Sequence, residues 1–387
     1  MRIALVITGL DVGGAENLLY ELSLGLSNRG HQIIVINLLG DAHFSNKLRD
    51  TGIPNISLGI NPSLSANPFK IYSFFSGLLQ LGRQISDFRP DLLHTWMYPA
   101  DLLGGVVGSL LRIPVVWGIF SGKTDRQFYK IHTYLIMKAC AKLSKILPTI
   151  IISCSAYGRK SHAAFGYPTK NINFIPIGIS IPTPNPLSKY SKSRFTSTGK
   201  RILCLGMLAR YAPEKNHALL LRSVARIKNE GAKLHLFLAG GTGIDISNEE
   251  LMQTIDYFQL VNEVTLLGRA DEISDFFSLI DIFCLLSESE GFPTVVAEAM
   301  AASLPCLASD VGDTKLILSD NKQIARSRVK DDEYSKLVTL CRMSDDDRRQ
   351  IGMRNCARIS HLFTKATMLS RYENAYERTL SLNSQSS

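Results

Sequence analysis

Residues 280–312 read IDIFCLLSESEGFPTVVAEAMAASLPCLASDVG. Ile280 to Leu286 is an almost unbroken apolar run. At that length it predicts a strand buried on both faces, as in the middle of a parallel sheet. From Ser287 to Gly291 the chain turns short, polar and acidic, and Pro293 stands where the first turn of a helix accepts it. Val295 to Ala302 is that helix; Leu304-Pro305 ends it, and Cys306 to Ala308 begins the next short strand.

Glu290 therefore sits in the loop and Glu298 on the helix, with seven residues between them. The helix is otherwise made of small and apolar residues (Ala297, Ala299, Met300, Ala301, Ala302), and a carboxylate there is costly to bury unless something hydrogen-bonds to it. Polyol hydroxyls would do so. The helix start beside Gly291 and Phe292 presents free backbone N–H groups and a positive dipole end, which suits phosphate. One anion seat flanked by two hydroxyl acceptors describes a receptor for a sugar nucleotide. The alternative is an ordinary α/β unit with two surface Glu.

The run SESEGFPTVVAEAMAASLPCLASDVGD resembles the signature of retaining, GT-B-fold glycosyltransferases of the large group-4 family (glycosyl transferases group 1), whose hallmark is two Glu separated by seven residues before an EAMA-type helix. The resemblance implies an α/β fold of two Rossmann-like domains facing across a cleft, the donor held mainly by the second and the acceptor by the first. It implies transfer of a sugar from a nucleotide-diphosphate sugar, UDP by family frequency, with retention at the anomeric carbon. Glu298 would bind ribose hydroxyls and Glu290 would lie near the sugar and the reacting centre. The turn Gly291, Phe292, Pro293, Thr294 and Val295 would complete the phosphate seat through its backbone amides. The two carboxylates are not the pair of a hydrolase, which needs both flanking one bond.

At 387 residues the chain is too long for one core and suits two domains. Its 45% hydrophobic and 20% charged residues are those of a soluble globular protein. The longest apolar stretch, Leu102 to Ile119, is broken by Arg112 and Pro114, which argues against a transmembrane helix. MRIALVITGL begins a strand rather than a secretory signal, since Asp11 and a glycine pair follow too soon. Seven Cys, an odd number without a CxxC pair, indicate reduced thiols in the cytoplasm and argue against zinc. Residues 1–190 hold 18 Lys and Arg against 9 Asp and Glu, a net of +9, whereas residues 191–387 hold 25 against 25. The asymmetry points to an anionic partner of the first half: a phospholipid surface, at the inner face of the plasma membrane, or a lipid-diphosphate acceptor. A merely solvated basic face is the alternative. Nucleic acid is disfavoured, because the cations are scattered and no nucleic-acid motif accompanies them.

In chain order, Arg2 to Ile7, a glycine loop, a helix with core candidates Leu18, Leu19, Leu22, Leu24 and Leu26, and Ile33 to Ile36 make a βαβ opening. Gly13 and Gly14 let backbone approach a ligand near a helix N-terminus. Glycines at 9, 13 and 14 do not form GxGxxG, so a dinucleotide enzyme is disfavoured. The segment looks like the GGAE loop of the family, which implies that Gly13 and Gly14 lie over the donor diphosphate; read alone it is a turn. A helix is expected around Tyr72 to Ser86 and a strand over Asp91 to His94, followed by a helix from Leu102 to Leu111. His94, Trp96 and Tyr98 then fall at a strand's C-terminal edge, where open α/β sheets bind ligands. Similar histidines of the family face the cleft, so His94 is an acceptor or catalytic candidate, with a buried, satisfied histidine as the alternative.

Residues 113–122 predict a strand and loop, and a basic, aromatic stretch follows: Lys123, Arg126, Phe128, Tyr129, Lys130, His132, Tyr134 and Lys138. Basic side chains interleaved with aromatics suit an anionic membrane interface, and an amphipathic core helix is the alternative. Many relatives carry a histidine after this strand where Trp117 to Ser121 stand here, and an Asn-Gly pair where Ile177-Gly178 stand. From Ile179 to Lys200 the composition is that of a linker.

The second domain opens with the strand Arg201 to Met207 and LARYAPEKNHALLLRSVARI. Arg210 and Lys215, at a strand-to-helix loop, can hold a diphosphate, Arg by its fork and Lys as a point charge; a solvated pair is the alternative. The segment resembles the family's GRL-x-x-EKN motif, with Ala209 for its glycine, which implies that both cations grip the donor diphosphate and neutralise charge on the leaving group. Gly240, Gly241 and Gly243 resemble the family's GxG turn, and the loop at Gly268 and Arg269 lines the base in relatives. Met368 to Leu382 reads as an amphipathic helix that family resemblance sends back to the first domain. The expected division is 1–190, 191–367, and 368–387 for this helix with a disordered tail. No Asp-x-Asp pair with a metal role stands out, so no cofactor and no metal are expected. A sugar-nucleotide epimerase and an inactive nucleotide-sugar-binding scaffold are the rival functions.

Overall fold

A computed structural model of the chain describes residues 1–60, 68–182, 202–269, 273–326 and 329–384, and only the backbone over 68–75. Contacts divide the chain into two units, Met1–Ile177 with the chain from Ala366 onward, and Gly178–Lys365.

The first unit is built on a parallel sheet of seven strands: β1 (Arg2–Ile7), β2 (Gln32–Asn37), β3 (Asn55–Ser57), β4 (Leu92–Trp96), β5 (Val115–Ile119), β6 (Ile150–Ser153) and β7 (Ile172–Phe174), in the order 3-2-1-4-5-6-7. Side chains alternate between the faces of a strand, so each strand feeds two cores. Ile3, Leu5, Val35 and Trp96 pack with Leu18, Leu19, Leu22 and Leu26 of the helix Gly14–Asn28, and with Met368, Tyr372 and Tyr376 of the helix Lys365–Ser384. Ala4, Val6, Ile34 and Trp117 pack on the other face, with Leu81, Ile85, Val107 and Met137. Burial on both faces is why these strands read as continuous apolar runs. The C-terminal helix is clasped at the edge as well: Glu373 pairs with Arg29 and, at 3.0 Å, with His31 Nε2, while Arg29 Nη2 donates to Ala366 O at 3.1 Å.

The second unit is built on six parallel strands: β8 (Leu203–Leu208), β9 (Leu234–Ala239), β10 (Val264–Leu266), β11 (Ile282–Leu285), β12 (Cys306–Ser309) and β13 (Ile324–Ala325), in the order 10-9-8-11-12-13. β11 is buried throughout, and the helix that follows it runs Thr294–Ala301, capped by Pro293. Ser303, in the left-handed region at φ 61°, turns the chain into β12.

The boundary differs from the expected 190. Ile179 N–H donates to Phe363 O at 2.7 Å, which ties the chain to the second unit as soon as it leaves Ile177. Most of the segment read as a linker, 183–200, lies outside the described residues, as do 385–387 of the tail; the helix itself reaches Ser384. Among the described residues no helix is long and apolar enough to cross a membrane. None of the seven cysteines, all of them among the described residues, is in a disulfide.

Candidate functional site

The order of the second sheet reverses between β8 and β11, strands that lie side by side although the chain visits β9 and β10 between them. Loops leaving the C-terminal ends of two such strands diverge and open a crevice, which is where open α/β sheets bind ligands. The loop after β8 carries Arg210 and Lys215, and the loop after β11 carries Glu290. Lys215 Nζ lies 2.7 Å from Glu290 Oε1, both side chains sheltered from solvent. Two further bonds lace the loops: Glu288 N–H donates to Glu214 O at 2.8 Å, and Asn216 Nδ2 donates to Glu288 Oε1 at 3.3 Å. Asn216 takes the left-handed conformation, φ 51°, and its Oδ1 caps the helix His217–Asn229 by accepting from Leu219 N–H. An amide side chain tolerates that conformation and supplies the cap together. Sequence reading passed over Asn216 and Glu288 as site residues, although Asn216 stood within the quoted EKN.

Arg210 is the looser of the two cations. Its side chain is 64% exposed and pairs with Glu214, at 2.6 Å and four residues away, an exposed pair worth little. It can leave Glu214 for a stronger anion at small cost. Behind it, the Gly240 N–H donates to Gly268 O at 2.9 Å, and any Cβ at Gly240 would collide with Ala209 O. The backbones after β8, β9 and β10 are thereby locked together. Gly268 is half-buried in the left-handed region at φ 65°, and Arg269 is exposed beside it.

The helix Thr294–Ala301 buries Val296, Ala297, Ala299, Met300 and Ala301. Thr294, Val295 and Glu298 make up its less buried face. The N–H groups of Thr294 and Val295 begin the helix and so have no acceptor within it. Burial pushes the Glu298 carboxyl above its ordinary value, and the Lys365 charge pulls it partly back. Phe292 and Pro293 are buried, Phe292 against Phe363 with ring centroids 5.9 Å apart, and this fixes the turn ahead of the helix. Gly312, at φ 56°, packs so closely on the carbonyls of Glu290 and Gly291 that a side chain would collide with both, while Asp313 N–H donates to Gly291 O at 2.9 Å. The second unit thus joins Lys215, Glu290 and the turn Gly291 to Val295, and carries Arg210, Gly268 and Arg269 on neighbouring loops and Glu298 on the helix that follows the turn.

The first unit carries the other candidates. Gly13 stands at the N-cap of the helix Gly14–Asn28 after β1, its carbonyl accepts from Asn17 N–H at 3.0 Å, and a Cβ there would displace the Glu16 carboxylate. Gly14 is exposed. His94 is not a surface group. The strand expected to end there continues to Trp96, so His94 pairs with Leu5 on one side and Val116 on the other in mid-sheet. Alternation turns it, with Leu92 and Trp96, into the layer filled by Tyr372 and Tyr376. It has no exposed surface, its Nδ1 lies 2.8 Å from Tyr376 Oη, and burial pushes the imidazole down to about 3. The buried reading of His94 is the one its position supports. In the loop after β5, where relatives have a histidine, Phe120 stacks on Trp96 at 4.0 Å and Ser121 Oγ meets Tyr129 Oη at 2.7 Å. Sequence reading also passed over Met97, directly after β4. It takes φ 73° and ψ 152°, a region that costs a non-glycine residue about 1–3 kcal/mol. Nothing in the identity of a methionine announces that.

Comparison with known proteins covers both units. Residues 12–181 match the family model Glycosyltransferase Family 4, and residues 191–354 match Glycosyl transferases group 1. An uncharacterized glycosyltransferase of Haemophilus influenzae is 30% identical over 302 residues, 77% of either chain. The UDP-Gal:alpha-D-GlcNAc-diphosphoundecaprenol alpha-1,3-galactosyltransferase of Escherichia coli is 23% identical over 306 residues, 76% of either chain. Several other curated relatives are matched over about a third of their length. Among solved structures, HepE of Anabaena in complex with UDP and glucose superposes with a TM-score of 0.80 at 17% identity, covering 98% of this chain and all of HepE. Family models over both units, a near-third identity across most of the length and a shared two-sheet fold make this chain a member of the group-4 glycosyltransferases of GT-B fold.

Proposed function

We propose that the enzyme transfers a sugar from a UDP-sugar, with retention at the anomeric carbon, to a lipid-diphosphate-linked saccharide during cell-surface glycan assembly. The observation that carries the reading is the Lys215–Glu290 pair at 2.7 Å, held at the switch point of the second sheet beside the helix start at Thr294 and Val295. The pair leaves a lysine and unspent helix N–H groups on one side and a carboxylate on the other. That arrangement suits a diphosphate joined to a polyol. In the reaction, the bond between the anomeric carbon and the diphosphate oxygen breaks and the acceptor hydroxyl oxygen bonds to that carbon on the same face. The hydroxyl proton leaves with the diphosphate. Lys215 and Arg210 offset the charge that grows on the leaving oxygens, where fixed cations lower a barrier most. Glu298 accepts from the ribose hydroxyls, which replaces the water its burial removed. Gly268 and Arg269 line the base. UDP as the nucleotide and a lipid-diphosphate acceptor are supported by the name of the Escherichia coli galactosyltransferase, which carries both, and the acceptor by Campylobacter jejuni relatives named for diphospho-undecaprenol. No metal is assigned a role, and the two lysine and arginine charges are the electrostatic catalysts.

The test is a melting-temperature screen with UDP, GDP and their sugars, since a ligand that binds only the folded state raises the midpoint. Transfer of labelled sugar to a detergent-solubilised lipid-diphosphate saccharide follows, with the anomeric configuration of the product read by NMR. A shift with UDP-sugars and an α-linked product from an α-donor support the reading. A shift with GDP alone, or an inverted product, rejects it.

A further inference from the structure

The basic, aromatic stretch after β5 is sorted by the fold into two populations. Tyr129 turns inward, its Oη donating to Lys123 O at 2.9 Å, and Tyr134 packs edge-on to Phe165 at 5.9 Å. Phe128, Ile131 and Leu135 turn outward and are 45%, 55% and 57% exposed. On the helix Ile131–Leu143, Met137, Cys140 and Ala141 are buried. Ile131, Leu135, Lys138 and Lys142 follow one another at spacings of four, three and four on the opposite side, a single solvent-facing stripe. Large apolar side chains consecutive on the outer stripe of a soluble helix mark an interaction surface. Cations surround them: Lys123 Nζ sits 4.4 Å from the centre of the Phe128 ring, with Arg126 and Lys130 adjacent in the chain. Between Asp125 and Glu214 the chain contains no Asp or Glu at all.

We propose that this face, with Phe128, Ile131 and Leu135 at its centre and Arg126, Lys130, Lys138 and Lys142 around them, docks on an anionic lipid bilayer. The apolar side chains enter the boundary between headgroups and acyl chains, and the lysine stems carry their ammonium groups up to the phosphates. A second copy of the chain would set the same cations against each other. A nucleic acid would have no use for Ile131 and Leu135. The stretch leaves the C-terminal edge of β5, the edge at which open sheets bind ligands, so docking holds a membrane surface beside it. The inference deepens the proposed function, because a lipid-linked acceptor would enter from that surface.

The experiment is flotation of the full-length protein with vesicles of phosphatidylglycerol or of phosphatidylcholine. Two variants accompany it, Ile131→Ser with Leu135→Ser, and Lys138→Gln with Lys142→Gln. Each retained UDP-induced melting shift certifies a folded second unit, and circular dichroism certifies the whole. Binding to phosphatidylglycerol but not phosphatidylcholine is expected, falling about fivefold per lysine removed and in high salt. The serine pair loses at least about tenfold. Equal partition of wild type and variants overturns the proposal, as does absence of binding to phosphatidylglycerol by a folded protein. So does a dimer, seen by light scattering, that the serine pair dissolves. If vesicle binding holds while transfer to the detergent-solubilised acceptor fails, the proposed function falls and the docking face stands; the reverse result removes the docking face alone.

Discussion

Each sheet has one switch point, between β1 and β4 in the first unit and between β8 and β11 in the second, and the two have been put to opposite uses. At β8/β11 the loops carry charge: Lys215 against Glu290, Arg210 against Glu214, Asn216 against Glu288. At β4 the strand is closed over by aromatic packing: His94 is bonded to Tyr376, Trp96 is stacked on Phe120, and the helix Lys365–Ser384 lies on that layer. Topology supplies a crevice in both places. What fills it depends on the side chains that alternation delivers there, so a shared fold does not by itself make two sites.

That contrast can be broken from the charged side first. Lys215→Ala leaves the sheltered Glu290 carboxylate without its partner and removes a cation from the proposed diphosphate seat; turnover should fall by roughly 10²–10³-fold in the transfer assay. Unchanged turnover would remove Lys215 from the chemistry. Glu298→Ala should weaken UDP binding by about 10–100-fold, the value of hydrogen bonds to a charged acceptor, as measured by calorimetry, with a smaller effect on kcat. The same residue gives a pH signature. Its carboxyl is raised by burial, so the folded state holds the proton more tightly and the stability it contributes is present at low pH and lost as pH rises. Without nucleotide, Glu298→Gln should therefore melt above wild type at neutral pH, the gap closing toward pH 4.5, the ordinary carboxyl value. A gap independent of pH would reject the buried-acid account.

Arg210→Ala should lower kcat about tenfold and leave the melting temperature unchanged, since its pair with Glu214 is exposed. A melting loss would mean that the arginine is structural. The smallest effect on catalysis belongs to the aromatic side. His94→Leu should keep kcat within about threefold while costing about 1–3 kcal/mol of stability, because Tyr376 Oη is left buried and unpaired. Adding Tyr376→Phe should recover part of that stability. A hundredfold loss of activity in His94→Leu would return the histidine to the reacting centre.

The stretch 280–312 was legible because its signals are local. An apolar run too short for a helix, a polar loop, a proline and an alanine-rich segment predicted β11, the turn and the helix to within two residues at each end. The same holds for β1, where Arg2 to Ile7 was read without error. The short edge strands of the first unit were not legible. β3 and β7 span three residues each and are strands only because a longer neighbour offers them partners. His94 failed for a related reason: Thr95 and Trp96 extend β4 by pairing with β1 and β5, a decision made by the neighbours.

The order of residues along the chain was enough to establish two parallel α/β units, the family they belong to and which charged residues the loops after β8 and β11 carry, since strand periodicity, breakers and motif spacing are properties of short segments. It also established that the excess positive charge lies in the first half. Which of those residues meet was decided only in three dimensions. Lys215 and Glu290 are 75 positions apart, and His94 and Tyr376 are 282 apart. Sheet order brings the first pair to an open strand end, and a returning helix shuts the second inside a core. A side chain's chemistry is written in the sequence, but its exposure is set by whatever the rest of the chain packs against it.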